Sequence, residues 1–389
     1  MGVKGRPKRV RMLAVPLGMA VVIFALGPST ASAQPLTCGQ TIAKDTTLHA
    51  DLGPCPGDGL VIGADNVTLD LNGHAIIGDD TDQDVGVLDE GHDGAVVKNG
   101  EIHGFFTGVK LDAADRSGVS DITASASPNA GFDVSGSYNS IENNVADPAP
   151  DSPFHISGSH NVIRHNVTSG SYDGMRIEGS LNRVTHNRVE YANGGLWIRG
   201  RRNLVQGNSV SFDDSGLPVS GPGNVIRNNV VVSNPGRLEV SDCRNVRVEA
   251  NLLVRDGMTL SGCQNARVAH NAVSSFESSG ILLDGGSDNT ITENTVSGTY
   301  DSGIIVRGGS LRTAVKDNLA RRAGISRYGT ENPESDGIQV EDPGTAIADN
   351  RANRNADYGI QAVPGVIDGG GNTASGNGNP LQCLNVVCN

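Results

Sequence analysis

Residues 174–187 read GMRIEGSLNRVTHN, and residues 195–208 repeat the same pattern as GLWIRGRRNLVQGN. Each copy has an apolar-x-apolar triplet after a glycine, and then a branched aliphatic residue three positions before an asparagine. Alternation with a period of two is typical of short β-strands. The two copies therefore predict short strands that are separated by turns.

The pattern recurs from Gly131 to Ala362, with steps of 20 to 24 residues between asparagines and a last step of 32. The asparagines are Asn144, Asn166, Asn187, Asn208, Asn229, Asn251, Asn271, Asn294, Asn318 and Asn350. The triplets are Phe132/Val134, Phe154/Ile156, Met175/Ile177, Leu196/Ile198, Leu217/Val219, Leu238/Val240, Met258/Leu260, Ile281/Leu283, Ile304/Val306 and Ile338/Val340. A fixed period of short strands without helical periodicity indicates a β-solenoid.

The repeat resembles the right-handed parallel β-helix of the pectin-lyase-like proteins, over nearly all of the chain after residue 33. The handedness is what the resemblance implies, because the period does not fix it. Counting Asn99, Asp121 and Asn372 with the asparagine ladder, we expect an all-β rod of about thirteen coils. Residues 61–389 would form the rod and its C-terminal cap, and residues 34–60 an N-terminal cap. Stacked asparagines are interpreted as structural, because their amides can bond to each other and to turn backbone.

Residues 1–33 have the features of a secretory signal peptide. Five basic residues precede an apolar segment, Met12 to Leu26, and Ala31-Ser-Ala33 is a small-residue cleavage site. An uncleaved anchor is the alternative, but the apolar segment is short for a membrane span. Cleavage would change the formal net charge from −13 to −18, because the five basic residues are lost. We therefore expect a secreted, extracellular monomer without a later membrane span, and such an acidic chain is unsuited to nucleic acid.

Six cysteines in an exported chain predict disulfides. Cys243 and Cys263 each lie eight residues before a ladder asparagine, so they would stack on adjacent coils about 4.8 Å apart. Cys38 and Cys55 flank the N-terminal end, and Cys383 and Cys388 close a short loop at the other end. The predicted pairs are 38–55, 243–263 and 383–388, with free thiols or a metal site as the alternative.

Metal binding has two candidate locations in the sequence. The acidic segment 79–93 could bind Ca²⁺ or could be a solvated loop, since its spacing is not that of an EF-hand. His165 and His186 would stack on adjacent coils, but Gly207 follows them in the next coil, so no third ligand is expected. The β-helix copper-maturation proteins of nitrous oxide reductase share this type of repeat, but no Met- or His-rich cluster supports such a role.

One face of the predicted rod carries ionisable residues. The middle residue of each triplet, and the residue after it, would point outward. Trp197 would lie among such residues, and an outward indole beside acids and arginines suits a carbohydrate ligand. The candidate catalytic residues are Asp133, His155, Asp173, Arg176 and Glu178. The candidate substrate-binding residues are Tyr172, Tyr191, Trp197, Arg199 and Glu239. The alternative is an ordinary solvent-facing polar strand surface.

Two reactions are compatible with these residues. A glycoside hydrolase needs two carboxylates about 5–10 Å apart, and a polyuronate lyase needs a base and a neutralising cation. The catalytic motifs of the β-helix pectinases are absent, namely Asn-Thr-Asp, Asp-Asp and Gly-His-Gly of polygalacturonases and Arg-x-Pro-x-x-Arg of pectate lyases. The resemblance therefore transfers no catalytic residue. We expect a β-helix that acts on or binds polysaccharide, and the alternative is a non-catalytic extracellular rod. A long segment at 321–336, with Arg327, Tyr328 and Glu331, could form one wall of a groove, and variation in loop length without a function is the alternative.

Overall fold

The computed structural model describes residues 1–3, 5, 35–81, 83–146, 151–211, 214–232, 236–324 and 332–389. Nearly all of the predicted signal peptide, and also Arg327, Tyr328 and Glu331, lie outside these residues. All described strands belong to one compact unit, Leu36–Asn389. In this described part, no helix has the length and apolarity needed to cross a membrane.

The strands wind into a parallel β-helix with three faces. Each strand pairs in parallel with the equivalent strand of the next coil. The first face is a 16-stranded sheet. Its strands are β1 (Gln40–Ile42), β4 (Leu60–Ile62), β7 (Val85–Glu90), β9 (Thr107–Asp112), β11 (Ala130–Ser135), β14 (Phe154–Ser157), β17 (Met175–Glu178), β20 (Leu196–Arg199), β23 (Gly216–Ser220), β26 (Arg237–Ser241), β29 (Met258–Ser261), β32 (Ile281–Asp284), β35 (Ile304–Arg307), β38 (Ile338–Val340), β41 (Ile360–Ala362) and β44 (Cys383–Leu384).

The second face follows each first-face strand after a turn. Its strands are β2 (Thr46–Thr47), β5 (Thr68–Asp70), β8 (Val96–His103), β10 (Gly118–Ser125), β12 (Ser140–Glu142), β15 (Val162–Arg164), β18 (Arg183–Thr185), β21 (Leu204–Gln206), β24 (Val225–Arg227), β27 (Arg247–Glu249), β30 (Arg267–Ala269), β33 (Thr290–Thr292), β36 (Ala314–Lys316), β39 (Ala346–Ala348) and β42 (Ile367–Gly370).

The third face completes the coil, and the long strands β8 and β10 continue into it. Its other strands are β3 (Leu52–Cys55), β6 (Ala75–Gly78), β13 (Val145–Ala146), β16 (Val167–Ser169), β19 (Arg188–Glu190), β22 (Ser209–Ser211), β25 (Val230–Val232), β28 (Leu252–Arg255), β31 (Ala272–Ser275), β34 (Thr295–Ser297), β37 (Leu319–Arg321), β40 (Arg351–Asn353) and β43 (Thr373–Ser375).

The fold confirms the predicted all-β parallel β-helix but has more coils than expected. It has about 15 turns, whereas the ladder predicts about thirteen. The difference arises at the N-terminal end, where the segment expected to be a cap already contains β1, β2 and β3. These first coils have no ladder asparagine, so a count of ladder residues omits them.

The triplets fill the core as predicted. Phe132 and Phe154 are fully buried, and their rings stack with centroids 4.7 Å apart. Met175 and Leu196 continue this column, and a second column contains Ile177, Ile198 and Val219. Apolar inward side chains recur at the same spacing and pack on one another. The burial of their apolar surface therefore supplies most of the driving force for folding of the rod.

The asparagine ladder is structural. Every ladder residue from Asn144 to Asn350, and also Asn372, is buried. The Nδ2 of one residue donates to the Oδ1 of the next at 2.9 to 3.2 Å. Each Oδ1 also accepts from the backbone amide of the previous ladder residue, as in Asn144 to Asn166 at 3.0 Å. The amides therefore join coil to coil without water.

Contrary to expectation, Asn99 and Asp121 do not belong to the asparagine ladder. Both have a positive φ, of 60° and 54°, as does Asn143 at 57°. Asn143 directly precedes the ladder residue Asn144, and the register of β10 with β12 and β13 places Asp121 opposite Asn143. Asn99 and Asp121 thus provide the left-handed turn conformation, which Asn and Asp tolerate better than most residues.

A second asparagine ladder lies at the turn between the first and second faces. Its buried members are Asn139, Asn161, Asn182, Asn203 and Asn224. From Asn161 onward, each Oδ1 accepts from the backbone amide of the ladder residue one coil earlier, as in Asn182 to Asn203 at 2.9 Å. The Oδ1 of Asn139 accepts from the amide of Ser117. Sequence analysis missed this ladder, although its spacing of 21 to 22 residues is visible in the sequence.

Three disulfides are present, Cys38–Cys55, Cys243–Cys263 and Cys383–Cys388, which are the predicted pairs. Cys243–Cys263 joins two coils where the second ladder is interrupted by Val246 and Ala266. A covalent bond thus replaces the amide bonds at this turn.

Candidate functional site

The outward residues of six neighbouring first-face strands form one line across the coils. We call them the outer row: Asp133, His155, Arg176, Trp197, Pro218 and Glu239. The register pairs Asp133 with His155, His155 with Arg176, Arg176 with Trp197, and Pro218 with Glu239. With about 4.8 Å between strands, the outer row is about 24 Å long. That length suits a chain of several sugar units rather than one.

Asp133 and His155 form a hydrogen-bonded pair. The imidazole Nδ1 lies 3.0 Å from Oδ1 of Asp133. This bond raises the pKa of His155 above its ordinary value of 6.5, while partial burial opposes the shift. The carboxylates of Asp133 and Glu178 raise the His155 pKa further, and the Arg176 guanidinium lowers it. The pair therefore favours a protonated imidazole, which is an acid rather than a base.

Arg176 contacts a carboxylate and an aromatic ring. Its Nε and terminal nitrogen donate to Oε1 of Glu178 at 3.1 and 2.8 Å. Its guanidinium carbon lies 4.5 Å from the centroid of the Trp197 ring. The stacking follows from the parallel register, which places the two residues on adjacent strands. The salt bridge and the cation–π contact fix the side chain and neutralise its charge locally.

Two adjoining depressions lie over the outer row. The His155 depression, of about 410 Å³, is lined by Asp133, Ser152, His155, Arg176 and Glu178, among others. The Trp197 cavity, of about 470 Å³, is lined by Asp173, Arg176, Trp197, Asp214, Arg237 and Glu239, among others. Arg176 lines both. Together they form an open groove that crosses the coils.

The structure brings together seven of the ten predicted residues. Asp133, His155, Asp173, Arg176, Glu178, Trp197 and Glu239 line the groove. Tyr172, Tyr191 and Arg199 do not line either depression among the described residues. Both tyrosines are exposed, with 64% and 62% of their surface accessible. Their roles remain predictions without support from this geometry.

Sequence analysis missed Asp214, Arg237 and Ser152 as groove residues. Each lies at or just before the start of a first-face strand, as does Asp173. The Ser152 hydroxyl donates to Oδ2 of Asp173 at 2.8 Å, which fixes that carboxylate at the edge of the groove. The position two residues before each triplet holds Ser152, Asp173, Gly194, Ser215 and Gly236 in successive coils. This position identifies Ser152, whereas Asp214 and Arg237 lie one residue to either side of it.

The acidic segment 79–93 uses several of its carboxylates within the protein. Asp89 is fully buried, and its Oδ1 lies 2.9 Å from Nδ1 of His92. Burial raises the pKa of Asp89, and the hydrogen bonds from His92 oppose that shift. Asp93 pairs with Arg116 at 2.6 Å. Asp82 lies outside the described residues. Within the described ranges, no group of three or more His, Cys, Asp or Glu side chains could hold a metal ion.

The sequence was compared with known families and structures. Residues 56–216 and 202–378 match the family described as "Periplasmic copper-binding protein (NosD)". No curated protein sequence matches significantly. Similar solved structures include the A-module of Azotobacter vinelandii mannuronan C-5 epimerase AlgE4, with 16% identity over 90% of this chain and 91% of that chain, and a TM-score of 0.31. Another is alginate lyase AlyF-OU02 with G6, with 10% identity, coverage of 90% and 83%, and a TM-score of 0.37.

The family description mentions copper, so the side chains were tested for a fit. Soft thiolate and thioether ligands suit Cu(I), and imidazole suits copper generally. All six cysteines are in disulfides, and Met175 and Met258 are buried in the core. The rings of His165 and His186 are tilted by 39° with centroids 5.3 Å apart, and they offer two imidazoles without a third ligand nearby in the described part of the chain. By its repeat this chain belongs to the NosD family of right-handed parallel β-helix proteins, but its described residues do not fit a copper site.

Proposed function

We propose that the groove over the outer row binds a polysaccharide chain and that the protein hydrolyses it. The observation that supports this is the continuity of the groove from the Asp133–His155 pair to the Trp197 ring through Arg176. An open groove of this length admits the middle of a chain, and an indole provides a flat apolar surface for a sugar ring. The carboxylates beside it can accept hydrogen bonds from hydroxyl groups.

The hydrogen bond between His155 and Asp133 and the salt bridge between Arg176 and Glu178 favour hydrolysis over elimination. A lyase needs a base to remove a proton beside a uronate and a free cation to neutralise its carboxylate. His155 has a raised pKa, and Arg176 is bound to Glu178. In hydrolysis, the bond from the anomeric carbon to the glycosidic oxygen breaks, and that oxygen takes the proton from His155. Water adds its hydroxyl to the anomeric carbon and gives its other proton to a carboxylate, for which Asp173 is the candidate.

The second candidate function is a non-catalytic rod that binds a partner. The pairing of charges within the groove favours it, because Asp133–His155 and Arg176–Glu178 satisfy each other without a ligand. In either case we place the protein outside the cytoplasm. Three disulfides are typical of oxidising compartments, and the family description is periplasmic. Export beyond the periplasm to the extracellular space is the finer proposal.

The test is an incubation of the purified protein with a panel of neutral, acidic and amino-sugar polysaccharides, with and without Ca²⁺. New reducing ends and the ultraviolet absorbance of unsaturated products are followed together. We expect reducing ends without absorbance, and a loss of at least about 100-fold for His155→Ala. The matched control is His160→Ala, in the same coil, where the ring stacks on Tyr138 outside the groove.

The other outcomes are equally informative. Absorbance together with reducing ends would identify a lyase and contradict the acid role of His155. Equal losses for His155→Ala and His160→Ala would indicate a structural effect rather than catalysis. If no polysaccharide is cleaved or bound, the hydrolase proposal is wrong and the rod remains.

A further inference from the structure

The Trp197 cavity contains more negative than positive charge. Asp173, Asp214 and Glu239 line it, and its cations are Arg176 and Arg237. Arg176 is already held by Glu178, so its charge is compensated within the protein. In the described structure, Arg237 is the cation of the cavity that has no ion pair. A ligand in this cavity therefore meets a net negative electrostatic potential. The chain as a whole is also acidic, with a formal net charge of −13.

The free carboxylates are near the open side of the indole. Asp214 and Glu239 are exposed and form no ion pair with a described residue. The guanidinium of Arg176 occupies one side of the Trp197 ring. On the other side, the register from Ile198–Val219 places Pro218, a short side chain, opposite Trp197. The cavity reaches from Trp197 over Pro218 to Glu239, so a ligand that fills it would contact the indole and the carboxylates together.

A polyuronate fits these charges poorly. Each uronate unit would bring a carboxylate towards Asp173, Asp214 or Glu239, with Arg237 as the one uncompensated cation among the described lining residues. Like charges at short range disfavour binding, and desolvating them without a partner adds to the penalty. A neutral glycan avoids the repulsion but leaves the exposed carboxylates without a cation. A sugar that carries an ammonium group would supply the missing cation.

We propose that the Trp197 cavity selects glycans with free amino groups, such as polymers of glucosamine or galactosamine. This inference rests on the proposed function, because it names the ligand class of the same groove. The pyranose ring would lie on the indole, and its ammonium group would pair with Asp214 or Glu239. Such charge-assisted hydrogen bonds are about twice as strong as neutral ones. The repulsion between these carboxylates and the carboxylates of a polyuronate would add to the selectivity for amino sugars.

The test measures binding of defined hexamers to the purified full protein by calorimetry. The four probes are glucosamine hexamer, its fully N-acetylated form, a glucose hexamer and a galacturonate hexamer. We expect the glucosamine hexamer to bind at least 10-fold tighter than the other three, and to weaken when the salt concentration rises from 0.05 to about 0.5 M. The galacturonate hexamer should bind most weakly.

Two isosteric variants locate the effect. Glu239→Gln and Asp214→Asn should each weaken glucosamine-hexamer binding about 10-fold and leave binding of the N-acetylated hexamer unchanged. The matched control is Glu249→Gln, which removes the same charge from the same coil on the second face. It should leave all affinities unchanged.

The outcomes separate this inference from the proposed function. Equal binding of the glucosamine and N-acetylated hexamers, or tighter binding of galacturonate, would overturn the amino-sugar inference and leave a polysaccharide groove. A loss with Glu249→Gln equal to that with Glu239→Gln would also overturn it, because the effect would then be one of net charge. Failure of all four hexamers to bind would overturn both.

Discussion

The imidazole of His155 and the carboxylate of Asp133 meet across two adjacent coils, 3.0 Å apart, at one end of the groove. The parallel register makes the pair, since the two residues are directly opposite on neighbouring strands. The candidate acid and its hydrogen-bond partner are thus two residues 22 positions apart in the sequence.

The Asp133→Asn variant should lower the pKa of His155. The variant removes the negative charge of Asp133, whose hydrogen bond contributes most to the raised pKa of His155. Partial burial of His155, which lowers this pKa, is then no longer opposed by Asp133. Because the wild-type pKa is raised, the pair stabilises the fold below pH 6.5, and this contribution is lost as the pH rises through the folded-state pKa. Titration of the His155 ring by NMR checks the shift, and an unchanged pKa would contradict the proposed pairing.

The buried Asp336 should make the stability of the rod depend on pH. Its side chain is 1% exposed, its Oδ1 accepts the amide of Tyr358 at 2.9 Å, and its Oδ2 has no described partner. Burial raises the pKa of Asp336 from 3.8 to about 7, with a further contribution from Asp357. A raised pKa stabilises the fold fully below about pH 3.8, and this contribution declines as the pH rises through about 7.

The Asp336→Asn variant should therefore be more stable than wild type at pH 8 and similar to it at pH 4. The difference should be on the order of 4 kcal/mol at most. Urea unfolding at several pH values measures it. Asp284→Asn is the control, because Asp284 is only partly buried and its pair with Arg307 is long, at 3.7 Å. A pH-independent difference for Asp336→Asn would show that the carboxyl group is ionised in the folded state throughout.

Asn229→Ala should destabilise the rod much more than Asn228→Ala. Asn229 accepts from the backbone and side-chain amides of Asn208, and it donates to Val205 and Asn251. Its removal leaves buried partners unsatisfied, with an expected loss on the order of 4 kcal/mol in the free energy of unfolding.

The neighbouring Asn228 is exposed, and its φ of 54° matches that of Ala250 in the next coil. Asn228→Ala should therefore cost about 1 kcal/mol. Hydrogen exchange of the amides on either side of residue 229 gives a local measure of the same effect. Similar losses for the two variants would contradict the structural role of the ladder.

Gly179→Ala should be far more damaging than Gly170→Ala. Gly179 has a φ of 123°, and an added Cβ would overlap the carbonyl oxygen of Gly158 in the preceding coil. We expect a loss of roughly 3 kcal/mol or more. Gly170 has a φ of 67° and no atom within 4 Å of the added Cβ, so its variant should lose about 1 kcal/mol. Thermal unfolding compares them, and equal melting temperatures would show that the coils can separate to admit the methyl group.

The sequence predicts the strands of the first face, the core and the three disulfides, because each follows from the spacing of repeated residues. The outer row is predictable for the same reason, since Trp197 and Arg176 occupy equivalent positions in adjacent coils. The groove is less predictable. Its walls come from turn residues such as Asp214 and Arg237, whose direction depends on turn geometry rather than on strand alternation. Tyr172 and Tyr191 were misplaced for that reason, as both lie in turns.

The two asparagine ladders have a consequence for how proteins of this kind can change. Each coil between residues 139 and 229 begins and ends with the same amide connections, so one coil can be duplicated or deleted in the gene without breaking either ladder. Each such event would lengthen or shorten the groove by one strand spacing, about 4.8 Å. If the groove binds a polysaccharide as proposed, the number of coils between His155 and Glu239 would set the length of the ligand segment that the groove contacts.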